Sequence, residues 1–355
     1  MPIIPTLTRR PHTLRTQSAN PARAPHTPRT LLRTAAAAAA MLLAAAPAAH
    51  AQADAQLTQY WATPAYYNPA ATGTTDYVRI RGGAKLQWLG IENAPKSFLA
   101  TADSPLKIGS KRIGLGVNFS QESLGLFSNL MVNIQASYKM KLFKGTLSIG
   151  VQGGYYNSKF RGSDVYIPDN DDYHQGTDTN IPTQDLVGNA FDFSAGLHWQ
   201  HKYFSIGVSG LHLLEPSVKL GVEGNETSDS QEYETIVPRQ LYLIADGNIP
   251  IRNTLFELQP SLLARTDFNG FGAEVTARAR YNKFLSFGLG YRWKEALSVM
   301  VAVELKNFFL GYAYDYPMSA INKASSGSHE LIAGYSLKLD FSGKNRNRHR
   351  SIRIM

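Results

Sequence analysis

Catalysis by side chains needs a nucleophile beside a base, and a metal site needs converging His, Asp, Glu or Cys. Beyond residue 51 the histidines are His174, His198, His201, His212, His329 and His349, scattered without metal-ligand spacing. Gly207-Val208-Ser209-Gly210 lacks the spacing of a nucleophile elbow. Ser328-His329-Glu330 holds the three residue types of a hydrolytic triad, but neighbours on a strand point to opposite faces, so the tripeptide itself cannot be one. Asp169, Asp171 and Asp172 cluster as calcium ligands would, without the spaced pattern ending in glutamate. Cysteine is absent, which removes disulfides, thiolate metal sites, thiol nucleophiles and a lipoprotein acyl anchor together. The expectation is a protein that is not an enzyme, with no catalytic residue, cofactor, metal or small-molecule substrate.

The formal charge of +9 suggests nucleic acid until it is divided along the chain. Residues 1–51 carry Arg9, Arg10, Arg15, Arg23, Arg29 and Arg33 and no acid. Of the remaining basic side chains, Lys344, Arg346, Arg348, Arg350 and Arg353 crowd the last twelve residues. The body between is roughly neutral and has no footprint for DNA or RNA. The arginine-rich start leads into the apolar run Thr34 to Ala49 and then Ala49-His50-Ala51, the order of a secretory signal with an A-x-A cleavage site before Gln52. No later apolar run reaches the ~20 residues of a membrane helix. An exported chain of this kind is soluble, peripheral or a β-barrel.

What the rest of the chain positions is a series of strands. Gln52 to Thr75 is rich in turn formers and aromatics and reads as an ordered, irregular segment, periplasmic or plug-like, before the first strand. From Tyr77, fourteen strand-length runs follow, near 77-89, 96-104, 111-121, 130-142, 145-157, 188-200, 203-212, 237-249, 255-267, 270-281, 284-293, 296-305, 308-316 and 328-341. Several alternate with period two: Val78, Ile80, Ala84 and Leu86 oppose Arg79, Arg81, Lys85 and Gln87, and Phe271, Val275, Ala277, Ala279 and Tyr281 oppose Glu274, Thr276, Arg278 and Arg280. Lengths near ten residues match a tilted bilayer-crossing strand, and charges at strand centres need the water or partners of a lumen. The connections alternate too, short on one side (Phe143-Lys144, Asn282-Lys283, Lys306-Asn307) and long on the other (122-129, 158-187, 213-236, 317-327), the asymmetry of outer-membrane barrels. The fold expected is a transmembrane antiparallel outer-membrane β-barrel of fourteen strands over 77-341, with Trp88, Tyr281, Trp293 and Tyr316 as aromatic girdle members and a basic C-terminal tail after it.

Two stretches carry a family likeness. The pattern Gln59-Tyr60, Tyr67-Asn68-Pro69-Ala70, Gly73, Gln87-Trp88 and Ala94-Pro95 resembles the opening of the PorP/SprF family of Bacteroidetes outer-membrane proteins. The closing segment, with Gly311-Tyr312, Asp315-Tyr316 and Ser326-Gly327-Ser328-His329-Glu330, is similar to the family's end. The long arginine-rich leader and the basic tail depart from the family pattern. The resemblance implies a barrel component of the type IX secretion system linked to gliding motility. Partners would be secretion-ring components or the C-terminal domains of secreted adhesins. The motif residues Asn68-Pro69-Ala70 read as a preset turn or as a partner contact. A porin or substrate-specific channel is the competing reading, because fourteen strands enclose more space than side chains fill; paired lumen charges or an inserted N-terminal segment would occlude it.

Overall fold

The computed structural model describes residues 54–109, 111–165, 182–222 and 233–339. The leader, the basic tail, the Asp169 cluster, most of the second acidic loop and Asp340 lie outside the described residues. The strands are β1 (Tyr77–Leu86), β2 (Lys96–Ile108), β3 (Lys111–Leu124), β4 (Phe127–Leu142), β5 (Gly145–Phe160), β6 (Leu186–Gln200) and β7 (Phe204–Leu211). They continue as β8 (Ser217–Val222), β9 (Tyr233–Ile236), β10 (Gln240–Gly247), β11 (Ile249–Pro250), β12 (Phe256–Thr266) and β13 (Phe271–Tyr281). The last four are β14 (Leu285–Arg292), β15 (Ala296–Leu305), β16 (Phe308–Pro317) and β17 (Ser328–Lys338).

All strands but β8, β9 and β11 form one antiparallel ring. Each pairs with the next barrel strand, β7 pairs with β10, and β1 pairs with β17 from Tyr77↔Lys338 to Leu86↔His329. The chain is therefore a closed fourteen-stranded barrel without a free sheet edge. Period-two alternation sorts the side chains: Ile134 is 69% exposed and Leu289 67%, whereas Asn133, Gln135, Thr276 and Glu274 are buried on the inside. Such a band of exposed aliphatic side chains around a strand ring is a lipid-facing surface. Among the described residues no helix is long and apolar enough to cross a membrane.

The short turns follow local chemistry. Phe143-Lys144 and Asn282-Lys283 each take two successive positive φ values (50° and 59°, 49° and 57°), the backbone of a two-residue hairpin whose twist matches its strands. At the other end, the stretch 213–236, read from sequence as a loop, differs. Its described part folds as the β8–β9 hairpin, which pairs with β6 at Leu186↔Val222 and Val187↔Gly221. Val218 and Leu220 alternate inward and pack on Met131, Tyr156, Leu186 and Val237, so the hairpin leans on the lumen side of the long-loop rim. Strands of six and four residues were too short a signal to separate from loop.

Exposed apolar residues at mid-strand and buried polar ones give opposite sensitivities. Leu289→Arg is expected to destabilise the bilayer-inserted barrel by about 2–4 kcal/mol, measured by urea titration of folding into lipid vesicles, because the guanidinium would sit at hydrocarbon depth. An unchanged midpoint would mean that Leu289 does not face lipid.

Candidate functional site

The lumen is filled by the segment before β1. Asp54 to Thr72 is almost wholly buried, and Leu57, Thr58, Gln59, Tyr60, Ala70 and Thr72 are completely so. It contains three short turns of helix, Tyr60–Ala62, Pro64–Tyr67 and Pro69–Ala71. Prolines at the first position of the latter two fit, since a helix start has no use for their missing N–H. Asn68 caps the third turn, its Oδ1 accepting from Ala70 N at 2.9 Å, while its Nδ2 donates to Leu197 O on β6 at 3.0 Å. Asn68-Pro69-Ala70 thus forms a turn and also docks it on the wall. Gly150 and Gly196 on that wall have no room for a Cβ: one would overlap Ala70 N and Asn68 Oδ1 respectively.

Two anchor sites hold the arm's ends. At the first, Lys85 on β1 sends Nζ to Asp315 Oδ2 on β16 (2.9 Å), Gln56 O (2.7 Å) and Thr58 Oγ1 (2.9 Å), with Glu330 of β17 at 3.6 Å. Arg292 adds its Nη1 to Asp315 at 3.3 Å and its Nε to Glu274 at 2.8 Å. Glu330 accepts the arm's own backbone, Thr58 N at 2.6 Å and Gln59 N at 2.8 Å. A Cβ at Gly311 would overlap Gln59 Oε1. Near the first barrel strand the second anchor is Asp103 on β2, which accepts from Gly73 N (2.7 Å) and from Arg79 through both carboxylate oxygens (3.1 and 2.9 Å).

Between the anchors the inner wall supplies donors to the arm's irregular carbonyls. Asn118 and Gln135 donate to Ala65 O, Ser209 to Tyr67 O and Ser137 to Thr72 O. Arg278 stacks over Trp61 at 3.7 Å. Asp54 meets His212 Nε2 at 2.9 Å and Tyr242 OH at 3.0 Å, and Asp192 stands 2.9 Å from the other ring nitrogen. On the long-loop rim, the hydrogen bonds from Lys159 and Ser163 hold the Asp185 carboxyl down to about 2.

The two ends of the sequence motif therefore meet. Tyr67, Asn68, Pro69 and Ala70 lie in the arm, Asp315 and Glu330 form the anchor, and Gln87 is buried just beyond Lys85. Trp88, at φ 49°, takes its amide to Ser328 Oγ. Tyr316 is exposed and accepts from Asn322, and His329 contacts Tyr312 OH at 2.7 Å; neither enters the anchor. Of the inward charges, Lys85, Glu274 and Arg278 reach the arm or its anchor. Arg79 serves the second one, Arg81 bonds Ser336 over Phe309, and Arg280 pairs with Glu257 and Glu304. Tyr281 lies on the outer face with Tyr316, while Trp88 and Trp293 are half-buried. Asp103, Thr58 and the Asp54-His212-Asp192 clamp were not singled out as site residues from sequence. Asp103 and Asp192, each an acid at an inward position of its strand, left a signal there.

A ring of lipid-facing strands around a buried, wall-bonded arm defines an outer-membrane β-barrel closed by its own N-terminal segment. The chain belongs to the PorP/SprF family: the family model for the type IX secretion system membrane protein PorP/SprF matches residues 49–335. Comparison with curated proteins yields no match. Among solved structures the chain is similar to the translocator domain of the autotransporter NalP from Neisseria meningitidis, at 13% identity and TM-score 0.41, covering 86% of this chain and 98% of that one. It is also similar to the Pseudomonas putida toluene transporter TodX, at 10% identity and TM-score 0.44, covering 81% and 95%.

The anchor predicts its own mutational pattern. Lys85→Met leaves Asp315 and Glu330 facing each other in a dry site and is expected to destabilise the folded state by about 3 kcal/mol, read from urea titration in detergent micelles. Adding Glu330→Gln should recover part of that loss. Additive losses in the double variant would show that the two side chains do not form one anchor.

Proposed function

We propose that this protein is a non-catalytic, closed scaffold in the outer membrane that binds other components of the type IX secretion machinery or holds secreted proteins at the cell surface. The filled lumen carries this reading. A channel needs a continuous wet path, and here the arm from Asp54 to Thr72 crosses the barrel interior while bonded to the wall around it. What is left for interaction is the two rims. By the general asymmetry of outer-membrane barrels the short-turn rim faces the periplasm and the long-loop rim the outside. A periplasmic rim fits the secretion ring, and an external rim fits a retained adhesin.

The test is purification of the tagged chain from its native outer membrane in mild detergent, with mass spectrometry of what accompanies it. Secretion-ring proteins or a large secreted protein are the expected company. In planar bilayers the intact chain should give no ohmic steps. Steady conductance by the intact chain, recovered alone, would move the assignment to a porin.

A further inference from the structure

The short-turn rim is electrically lopsided, in a way that the near-neutral composition of the barrel conceals. Register places Lys107 of β2 opposite Arg112 of β3, and Arg112 opposite Lys139 of β4. All three occupy the inward phase of their strands, which is set by the buried Asp103, Asn118 and Ser137. Lys141 follows on the same face, and the turns add the exposed Lys144 and Lys202. A cleft of about 640 Å³ opens between Phe143-Lys144 and His201-Lys202, lined by Lys141, Lys144, Gln200 and Lys202 and by no acid.

Like charges directly opposite on one sheet face are destabilising. Among the described residues only Arg112 of this row has an ion pair, a 3.4 Å contact with the exposed Asp76. The other half of the same rim also carries Arg252, Lys283 and Lys306, but there the inward cation Arg280 is paired with Glu257 and Glu304. We propose that the crescent Lys107, Arg112, Lys139, Lys141, Lys144 and Lys202 is the docking surface for an acidic segment of a partner polypeptide. The proposal rests on the scaffold reading above and specifies one partner's chemistry.

The facing of these side chains chooses a polypeptide over a membrane surface. Lys107, Arg112, Lys139 and Lys141 point toward the barrel mouth, whereas Tyr138, Met140 and Leu142, which alternate with the lysines of β4, face the lipid side. The cations thus open on water inside the rim rather than on headgroups around it. Residues 340–355, with Asp340 against Lys344, Arg346, Arg348, Arg350 and Arg353, have the same sign as the crescent and do not match it.

The test uses the full chain in zwitterionic micelles and a fluorescein-labelled oligoglutamate of about a dozen residues as probe, read by anisotropy. Lys107→Gln, Lys139→Gln and Lys141→Gln together should weaken binding about tenfold, and the wild-type affinity should fall as salt rises. Arg252→Gln, Lys283→Gln and Lys306→Gln together remove the same charge from the other half and should change it less than about twofold. Heat-modifiable gel mobility checks that both variants fold. Equal weakening by both sets, no binding of the probe, or association only with vesicles containing phosphatidylglycerol would each overturn the crescent. In native membranes, a partner held by the wild type and lost from the crescent variant supports it. A partner held equally by both overturns the crescent and leaves the scaffold reading intact, while no partner with either chain removes the scaffold reading.

Discussion

Irregular backbone at membrane depth has nowhere to place its hydrogen-bonding groups unless protein surrounds it. That constraint organises this barrel. The arm from Asp54 to Thr72 has only three short helical turns, too few to satisfy its own carbonyls. The inward residues of the wall make up the difference: Asn118, Gln135, Ser137 and Ser209 are side-chain donors placed opposite arm carbonyls. Reciprocally, glycines such as Gly150 leave the wall thin where arm backbone lies against it. Polar inward positions and missing side chains are thus two halves of one fit.

The first anchor shows how the remaining charge is tolerated. Lys85 and Arg292 face Asp315, Glu330 and Glu274, two cations against three acids in a nearly dry site. Buried charges are tolerated when hydrogen bonds complete their coordination. Here the excess acid receives two backbone N–H groups from Thr58 and Gln59. Removing the arm would therefore leave the acids of β16 and β17 underdonated. The wall and the arm are electrostatically one unit, and a stable empty barrel is disfavoured by the same residues that hold the arm.

Fourteen strands were legible in the sequence because each is long enough for period two to show, as in Phe271 to Tyr281, where every second side chain from Val275 to Tyr281 turned out exposed. Element ends were less legible. β4 and β5 run several residues beyond their apolar cores, since strands of a barrel continue past the bilayer into polar rims. The β8–β9 hairpin was hidden in an acidic, turn-rich stretch. Within the site, the identity of Lys85, Glu274 and Arg278 as inward charges followed from alternation alone. Their partners did not: Thr58 and Glu330 are 272 residues apart, and nothing local in QLTQYW says which strand it will touch. The family motif at both chain ends marked the right residues without saying that they meet.

That separation in sequence bears on how the barrel assembles. Arm residues precede β1, yet their partners include Asp315 and Glu330 on the last two strands, next to the β1–β17 seam. Contacts of such long range are made late, because closing the intervening chain is entropically unfavourable until other strands already hold it. The anchor is complete only when β1 and β17 have paired, since Lys85 comes from one and Glu330 from the other, directly opposite in the seam register. Seating of Thr58 and Gln59 thus coincides with closure. The hydrogen bonds that fill the lumen also stabilise the strand pair that closes the barrel, and an arm unable to seat would leave Glu330 at that seam without the two N–H donors of Thr58 and Gln59.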